Sequence, residues 1–162
     1  MAERATRLFI SYKTGKDDGL SGDANNLKAR LLAEGYIVWM DDELEAGIAF
    51  NKQIYQRIPE SDLLLLLMSQ KSAESKWVNR EVDVAKGAGV FILPLLIRTV
   101  KKTDDILSIF DLKDIQYIDY RTSSSEQFKK LGEQIDAHNR VTFTTLSDRY
   151  EILTKRNEFR CV

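Results

Sequence analysis

The sequence predicts an α/β domain built on a parallel sheet that helices cover on both faces. Short apolar runs alternate with amphipathic stretches along the chain, which is the pattern of repeated strand–helix units. One run, Leu63–Met68, is apolar at every position, so the strand that it forms must be buried on both faces. A chain of 162 residues can bury such a core without disulfides or structural metals.

Five strands are expected, each from an apolar run that a polar or glycine-containing stretch follows. The first run leads directly into Ser11 and Tyr12. The predicted strands are Leu8–Ile10, Tyr36–Met40, Asp62–Met68, Val90–Ile97 and Ile115–Ile118.

Helices are expected between these strands because apolar residues recur there every three or four positions. Asp23 can cap the first helix, Gly35 ends it, and Pro59 stops the second. One serine among residues 123–125 can cap the last helix, which ends near residue 138. The other predicted helices are Phe50–Ile58, Trp77–Gly87 and a short one at Ile106–Phe110.

The strict alternation of strands and helices leaves few topologies, because parallel crossovers are right-handed. It predicts a flavodoxin-like, doubly wound sheet of five strands in the order 2-1-3-4-5. Ligands of such sheets bind at the carboxyl ends of strands one and three, where the winding reverses. The functional residues are therefore expected in the loops Lys13–Gly22, Asp41–Ile48 and Ser69–Ser75.

Composition excludes several classes of function. Lysine and arginine number 24 and aspartate and glutamate 25, so the chain lacks the basic excess that nucleic-acid binding needs. No apolar run is long enough to cross a membrane, and the single cysteine, Cys161, favours a reducing, cytoplasmic compartment. With one histidine, and nothing to complete a coordination shell around the acidic run Asp41–Glu43, no metal site is expected.

Three other functions of similar folds fit poorly. A phosphate-accepting receiver needs acidic residues after strand one, yet that strand ends in Ser11-Tyr12-Lys13. Residues 11–15 match a flavin phosphate cradle only in part, because they offer few hydroxyl donors. The three-glycine turn of Rossmann dehydrogenases is absent.

Four segments in order resemble the conserved boxes of TIR domains, the Toll/interleukin receptor-like family. They are Phe9–Tyr12 in strand one, Leu44–Gly47 after strand two, Ser72–Glu81 at the start of the third helix, and Phe91–Leu96 with Pro94 in strand four. The arrangement is most similar to NAD⁺-cleaving members of bacterial defence systems. The resemblance implies a TIR domain over residues 1–139, followed at 140–162 by a linker or the start of a further, truncated domain.

The resemblance implies that Glu81 is the catalytic residue, with NAD⁺ as substrate rather than cofactor. Trp77 lies four residues earlier, so one helical turn separates the two side chains. We expect both to turn toward the sheet edge while Val78, Val82 and Ala85 face the sheet. An indole can then stack on a ring of the dinucleotide, and a carboxylate can stabilise the cation formed on ribose.

The resemblance places further substrate contacts at Ser11, Tyr12, Lys13, Glu45, Gly47 and Ser72. Plainer roles are available for most of them. Ser72 can be a helix cap, Glu45 a solvated charge and Gly47 a residue of positive φ. Lys13 can meet the pyrophosphate or only solvent, and a lysine there binds phosphate less specifically than the arginine that related enzymes often carry.

The resemblance also implies head-to-tail TIR–TIR association, in which the loop Asp41–Ile48 of one copy closes the site of the next. Contacts of this kind can propagate into filaments. A partner domain is expected after residue 162. The alternative is a non-catalytic module, in which the same loop serves only signalling contacts and Trp77 and Glu81 are interface or surface residues.

Overall fold

A single parallel sheet organises the chain in the computed structural model, which describes residues 5–14, 20–40 and 50–139, with the backbone alone for 50–54. The strands are β1 Arg7–Ser11, β2 Ile37–Met40, β3 Leu63–Met68, β4 Phe91–Leu96 and β5 Ile118–Asp119. They pair in the order β2-β1-β3-β4-β5, and every pair is parallel. The predicted fold class and strand order are therefore confirmed.

The core forms two layers, one on each face of the sheet. Alternate residues of β3 enter different layers, and all six of its side chains are fully buried, as the continuous apolar run predicted. In β1, Leu8 and Ile10 belong to one layer and Phe9 to the other. Ser11 follows Phe9 by two residues, so its side chain lies on the same face as Phe9.

The described helices are α1 Leu20–Ala33, α2 Phe50–Glu60, α3 Lys76–Ala88, α4 Thr103–Ile109 and α5 at residues 125–139. A 3-10 turn, Ser72–Glu74, precedes α3. The apolar layer around Leu8 includes α1 and α5, and the layer around Phe9 includes α2, α3 and α4. Within the described residues, no helix is long and apolar enough to cross a membrane.

The predicted start of α1 is wrong by four residues, because a helix capped by Asp23 would begin at Ala24 and the observed helix begins at Leu20. The apolar stripe of this helix begins at Leu20, which is fully buried, and continues through Ala24 and Leu27. Asp23 therefore lies inside the first turn instead of capping the helix. Its carboxylate pairs with Arg98, just beyond β4, at 2.6 Å.

The fifth strand exists as predicted, but its predicted bounds are wrong. Ile115–Ile118 is apolar enough to suggest a strand, but only Ile118 and Asp119 pair with β4. Ile115 instead packs against the apolar layer beside α4, and its amide bonds to the carbonyl of Leu112 at 3.1 Å. Burial in a turn accounts for its apolar character.

Candidate functional site

The segment that carries the predicted catalytic residue begins with two serines that have structural hydrogen bonds. The Ser72 hydroxyl donates to the carbonyl of Ser69 at 2.8 Å and accepts from its amide at 3.1 Å, which closes the turn after β3. Ser72 is fully buried. Ser75 is the N-cap of α3, because its hydroxyl accepts from the amide of Val78 at 3.3 Å. The expectation that Ser72 caps a helix is therefore wrong, because Ser72 is the first residue of the 3-10 turn and its hydroxyl bonds back to Ser69.

Glu81 is fully buried on the sheet-facing side of α3. It shares that side with Val78, Val82 and Ala85, which have the spacing of one helical stripe. The sequence reasoning expected Glu81 beside this stripe, turned toward the sheet edge, whereas the structure places it within the stripe. A carboxylate in this position needs a polar partner, because desolvating it is costly.

The Ser11 hydroxyl supplies such a partner. It donates to Oε1 of Glu81 at 3.1 Å, and both residues are fully buried. Ser11 ends β1 on the face that α3 covers. The contact therefore lies at the carboxyl end of β1 beside β3, where the strand order reverses. This is the position at which flavodoxin-like sheets bind ligands.

Trp77 occupies a different environment from Glu81. Its side chain is 43% exposed, one turn before the buried carboxylate, at the surface of α3. The guanidinium of Arg80 lies 5.2 Å from the centre of the indole ring. A cation over an exposed indole contributes about 0.5–1 kcal/mol. Sequence reasoning missed Arg80, although its position three residues after Trp77 places the two side chains on neighbouring turns.

The remaining predicted contacts divide into three groups. Tyr12 is buried in the apolar layer on the sheet face opposite Ser11. Lys13 is partly exposed at the start of the loop that follows β1. Glu45 and Gly47, the rest of the loop Asp41–Ile48 and the predicted linker 140–162 lie outside the described residues. The structure thus brings Ser11 into contact with Glu81 and leaves Tyr12 on the other face.

The carboxyl edge of the sheet is tied together by further contacts between loops. The Gln70 side chain, after β3, accepts from the amide of Lys101 at 3.0 Å, after β4. At the β5 end of this edge, hydrogen bonds from Arg121 lower the pKa of Asp119. Across the described residues, no group of three or more His, Cys, Asp or Glu side chains is arranged to hold a metal ion.

A cavity of about 600 Å³ lies along the β5 side of the sheet, between β5 and α5. Its lining includes Tyr117, Lys130 and His138, and the His138 ring stacks on Phe91 at 3.8 Å between centroids. Neither Glu81 nor Ser11 contributes to it. The buried carboxylate and the position of the strand-order reversal, rather than cavity size, therefore identify the candidate site.

Comparison with solved structures supports the same architecture. The TIR domains of the activated Roq1 resistosome, which directly recognises the pathogen effector XopQ, align with a TM-score of 0.60 at 17% identity, covering 81% of this chain and 99% of that one. The TIR domain of the Toll-related receptor TRR-2 from Hydra magnipapillata aligns with a TM-score of 0.62 at 17% identity, covering 80% and 97%. The CMP N-glycosidase BcmB from Clostridium botulinum aligns with a TM-score of 0.56 at 20% identity, covering 76% and 96%.

No curated protein sequence matches the chain. The family model described as TIR domain does match, over residues 8–134, which include α3 with Glu81 and all five strands except Arg7 of β1. This range exceeds half of the chain and agrees with the boxes found in the sequence. The chain therefore belongs to the TIR domain family.

Proposed function

We propose that this TIR domain cleaves the bond between nicotinamide and ribose in NAD⁺, and that Glu81 is the catalytic residue. The C–N bond breaks, its electron pair neutralises the cationic nicotinamide ring, and positive charge develops on the ribose. A carboxylate beside the ribose stabilises that charge. Water then adds and loses a proton to give ADP-ribose, or the adenine base attacks to give a cyclic isomer.

The observation that carries the proposal is the position of Glu81 at the strand-order reversal, away from bulk water. A charge interacts more strongly with a developing cation in such an environment than in solvent. Nicotinamide leaves as a neutral base, so its departure needs no general acid. One positioned carboxylate is therefore sufficient for the reaction that we propose.

Other residues of the proposed site act around Glu81. The exposed indole of Trp77 stacks on a ring of the dinucleotide at the rim, and Lys13 meets the pyrophosphate. Glu45 and Gly47 belong to the loop that, in a neighbouring copy, closes the site. Since Tyr12 packs on the other face of the sheet and the Ser72 hydroxyl is engaged by Ser69, we assign them to the framework of the site rather than to contact with NAD⁺.

Self-association is the proposed trigger. Because Glu81 is fully covered, NAD⁺ reaches it only after surrounding segments move, and a contact between copies can supply the energy for that movement. The Roq1 resistosome contains TIR domains, which supports TIR–TIR association as an activating event. We propose that the protein acts in the cytoplasm, in bacterial antiphage defence, where NAD⁺ depletion must await a trigger.

The reaction class has support from the fold. The CMP N-glycosidase that aligns with this chain is named for cleaving an N-glycosidic bond, which is also the kind of bond that joins nicotinamide to ribose. The same sheet can therefore carry a site for this chemistry. The proposal of NAD⁺ as the substrate rests on the resemblance to NAD⁺-cleaving TIR domains.

The test is nicotinamide release from NAD⁺ at high protein concentration, with and without a crowding agent, in wild type and Glu81→Gln. Glutamine retains an oxygen that accepts from Ser11 but carries no charge. We expect release by the wild type and a loss of about 100-fold or more in the variant, the scale of losing an electrostatic stabiliser of the transition state.

Glu74→Gln is the matched control. Glu74 is an exposed glutamate on the 3-10 turn just before α3, so its neutralisation should leave nicotinamide release unchanged. Release that survives in Glu81→Gln would remove Glu81 from the catalytic role. An equal loss in both variants would show that the assay responds to charge on this segment generally.

The full burial of Glu81 favours a second candidate function, a non-catalytic signalling module in which the acid is structural. In that case the wild type releases no nicotinamide at any concentration, yet it still self-associates. Light scattering of the same samples separates the two functions, because only the enzyme couples assembly to NAD⁺ loss.

A further inference from the structure

The contact between Ser11 and Glu81 joins two residues that are 70 positions apart in the chain. Neither side chain reaches solvent, and the two belong to different elements, β1 and α3. The serine hydroxyl is therefore placed by the sheet and the carboxylate by the helix. Such an arrangement can fix the orientation of an acid more firmly than a partner on the same helix could.

The start of α3 is itself held in place. The Asn79 side chain donates to the carbonyls of Ala73 and Ser75, at 2.9 and 2.8 Å, and Ser75 caps the helix. The backbone that carries Glu81 therefore has a defined position above β1. What remains to be set is the rotamer of the glutamate, and the hydrogen bond from Ser11 to Oε1 restrains it.

We propose that Ser11 is a positioning residue for Glu81 rather than a residue that contacts NAD⁺. Its hydroxyl holds the carboxylate in one orientation and favours the ionised form, since a donated hydrogen bond stabilises the charge. The catalytic consequence of this proposal rests on the proposed function. The effect of Ser11 on the orientation and ionised form of Glu81 does not depend on that function.

Among the charged side chains that the structure describes, Lys13 is the nearest to Ser11 in sequence and is partly exposed in the loop after β1. Among the described side chains, β3 and β4 carry no charged residue, and Arg7 is at the opposite end of β1. The charged side chains packed nearby on α2, on α3 and on the 3-10 turn are all exposed and screened by water. They are Arg57, Glu60, Glu74, Lys76, Arg80, Asp83 and Lys86.

The test compares Ser11→Ala with wild type in nicotinamide release. A hydrogen bond to a charged group corresponds to a factor of about 10–100, so we expect kcat to fall by that factor while KM changes little. We also expect the acid limb of the pH profile to move to higher pH, because the ionised form of Glu81 has lost a donor. Ser11→Cys keeps a side chain of similar size with a weaker donor, so its kcat should lie between those of wild type and Ser11→Ala.

Ser61→Ala is the matched control for a merely structural loss. Ser61 is also buried and donates to the carbonyl of Arg57 at 2.8 Å, but it lies at the opposite end of β3. The Ser61→Ala substitution should lower the melting temperature about as much as Ser11→Ala does, without moving the pH profile of nicotinamide release. Equal kinetic effects in both variants, or a raised KM with unchanged kcat in Ser11→Ala, would overturn the proposal.

A second measurement tests the proposal without an activity assay. A ¹³C NMR titration of side-chain carboxyls identifies Glu81 as the resonance missing from Glu81→Gln. We expect the titration midpoint of Glu81 to rise in Ser11→Ala and to stay in place in Ser61→Ala. An unmoved midpoint in Ser11→Ala overturns the positioning role even if NAD⁺ is cleaved. A wild type that releases no nicotinamide, with a moved midpoint, rejects the proposed function alone.

Discussion

A carboxylate among aliphatic side chains costs stability, and Glu81 lies in such surroundings. Its helical stripe contains Val78, Val82 and Ala85, and a leucine at this position would extend the apolar layer. Replacing a buried charge by an apolar residue of similar volume is often neutral or stabilising. The acid is therefore poorly explained by folding alone, which is why we assign it a function.

At the same scale, His138 provides a test of the pH dependence of stability. Partial burial lowers its pKa from the ordinary value of 6.5, so the folded protein binds a proton less readily than the unfolded chain. This contribution to stability is complete above about pH 6.5 and is lost as the pH falls toward the lower folded pKa. The phenyl group in His138→Phe cannot titrate and can keep the stack on Phe91.

As the pH falls from about 7.5 to about 5.5, we therefore expect the free energy of unfolding to decrease less in His138→Phe than in wild type. Urea denaturation at the two pH values measures this difference. An identical decrease in both proteins would show that His138 does not contribute to the slope.

Much of this detail could be predicted from the sequence, but the contact between Ser11 and Glu81 could not. The spacing of Trp77 and Glu81 correctly indicated one helix. It did not indicate that one side chain is exposed while the other lies within the core stripe. The positions 78, 81, 82 and 85 have core spacing, yet a glutamate there conflicts with an apolar interpretation. Its partner is distant in sequence, so only tertiary structure joins them.

At the scale of elements, α3 has well-defined ends. Ser75 caps its start, and Gly89 follows its end with φ of +71°, a left-handed conformation that glycine adopts without strain. Both are features that sequence can indicate, and the predicted helix Trp77–Gly87 differs from the observed one by one residue at each end. The strand β5 was harder to predict because its ladder is two residues long.

The cap of α3 leads to a prediction for the whole element. Ser75→Ala should lower the free energy of unfolding by about 1 kcal/mol, because an amide at the helix start loses its acceptor. Ser75→Asp should retain most of the stability, since aspartate is also a good cap. Urea denaturation measures both.

Ser124→Ala supplies the comparison, because the Ser124 hydroxyl caps α5 by accepting from the amide of Gln127 at 3.1 Å. We expect a similar loss of stability there but no loss of nicotinamide release. In Ser75→Ala we expect release to fall as well, since α3 carries Glu81. Equal nicotinamide release by Ser75→Ala and Ser124→Ala would show that the Ser75 cap does not determine the position of Glu81.

At the scale of the whole molecule, the repeated strand–helix pattern was sufficient to predict the strand order. Handedness leaves few arrangements of such units, so topology follows from pattern alone. Association between copies cannot be predicted from this pattern, because it depends on the surfaces of separate molecules. The exposed side chains of Trp77, Tyr55 and Ile109 are candidates for such surfaces, but their partners are not encoded in any local pattern.

The proposed trigger makes a prediction at this scale. Nicotinamide release per molecule should rise with protein concentration, because assembled copies are the active form. The dependence is measured by assaying a dilution series while light scattering reports the size of the particles. A specific activity that stays constant while the particle size changes would contradict activation by self-association.

The long-range contact of Ser11 also bears on how the protein is made. During translation β1 emerges before α3, but no hydrogen bond to Glu81 can form until α3 has left the ribosome and docked on the sheet. A chain truncated before α3 therefore lacks the contact, and on the proposed function such products leave NAD⁺ uncleaved. On the proposed function, NAD⁺ cleavage is a property that the chain acquires only once α3 has docked beside β1.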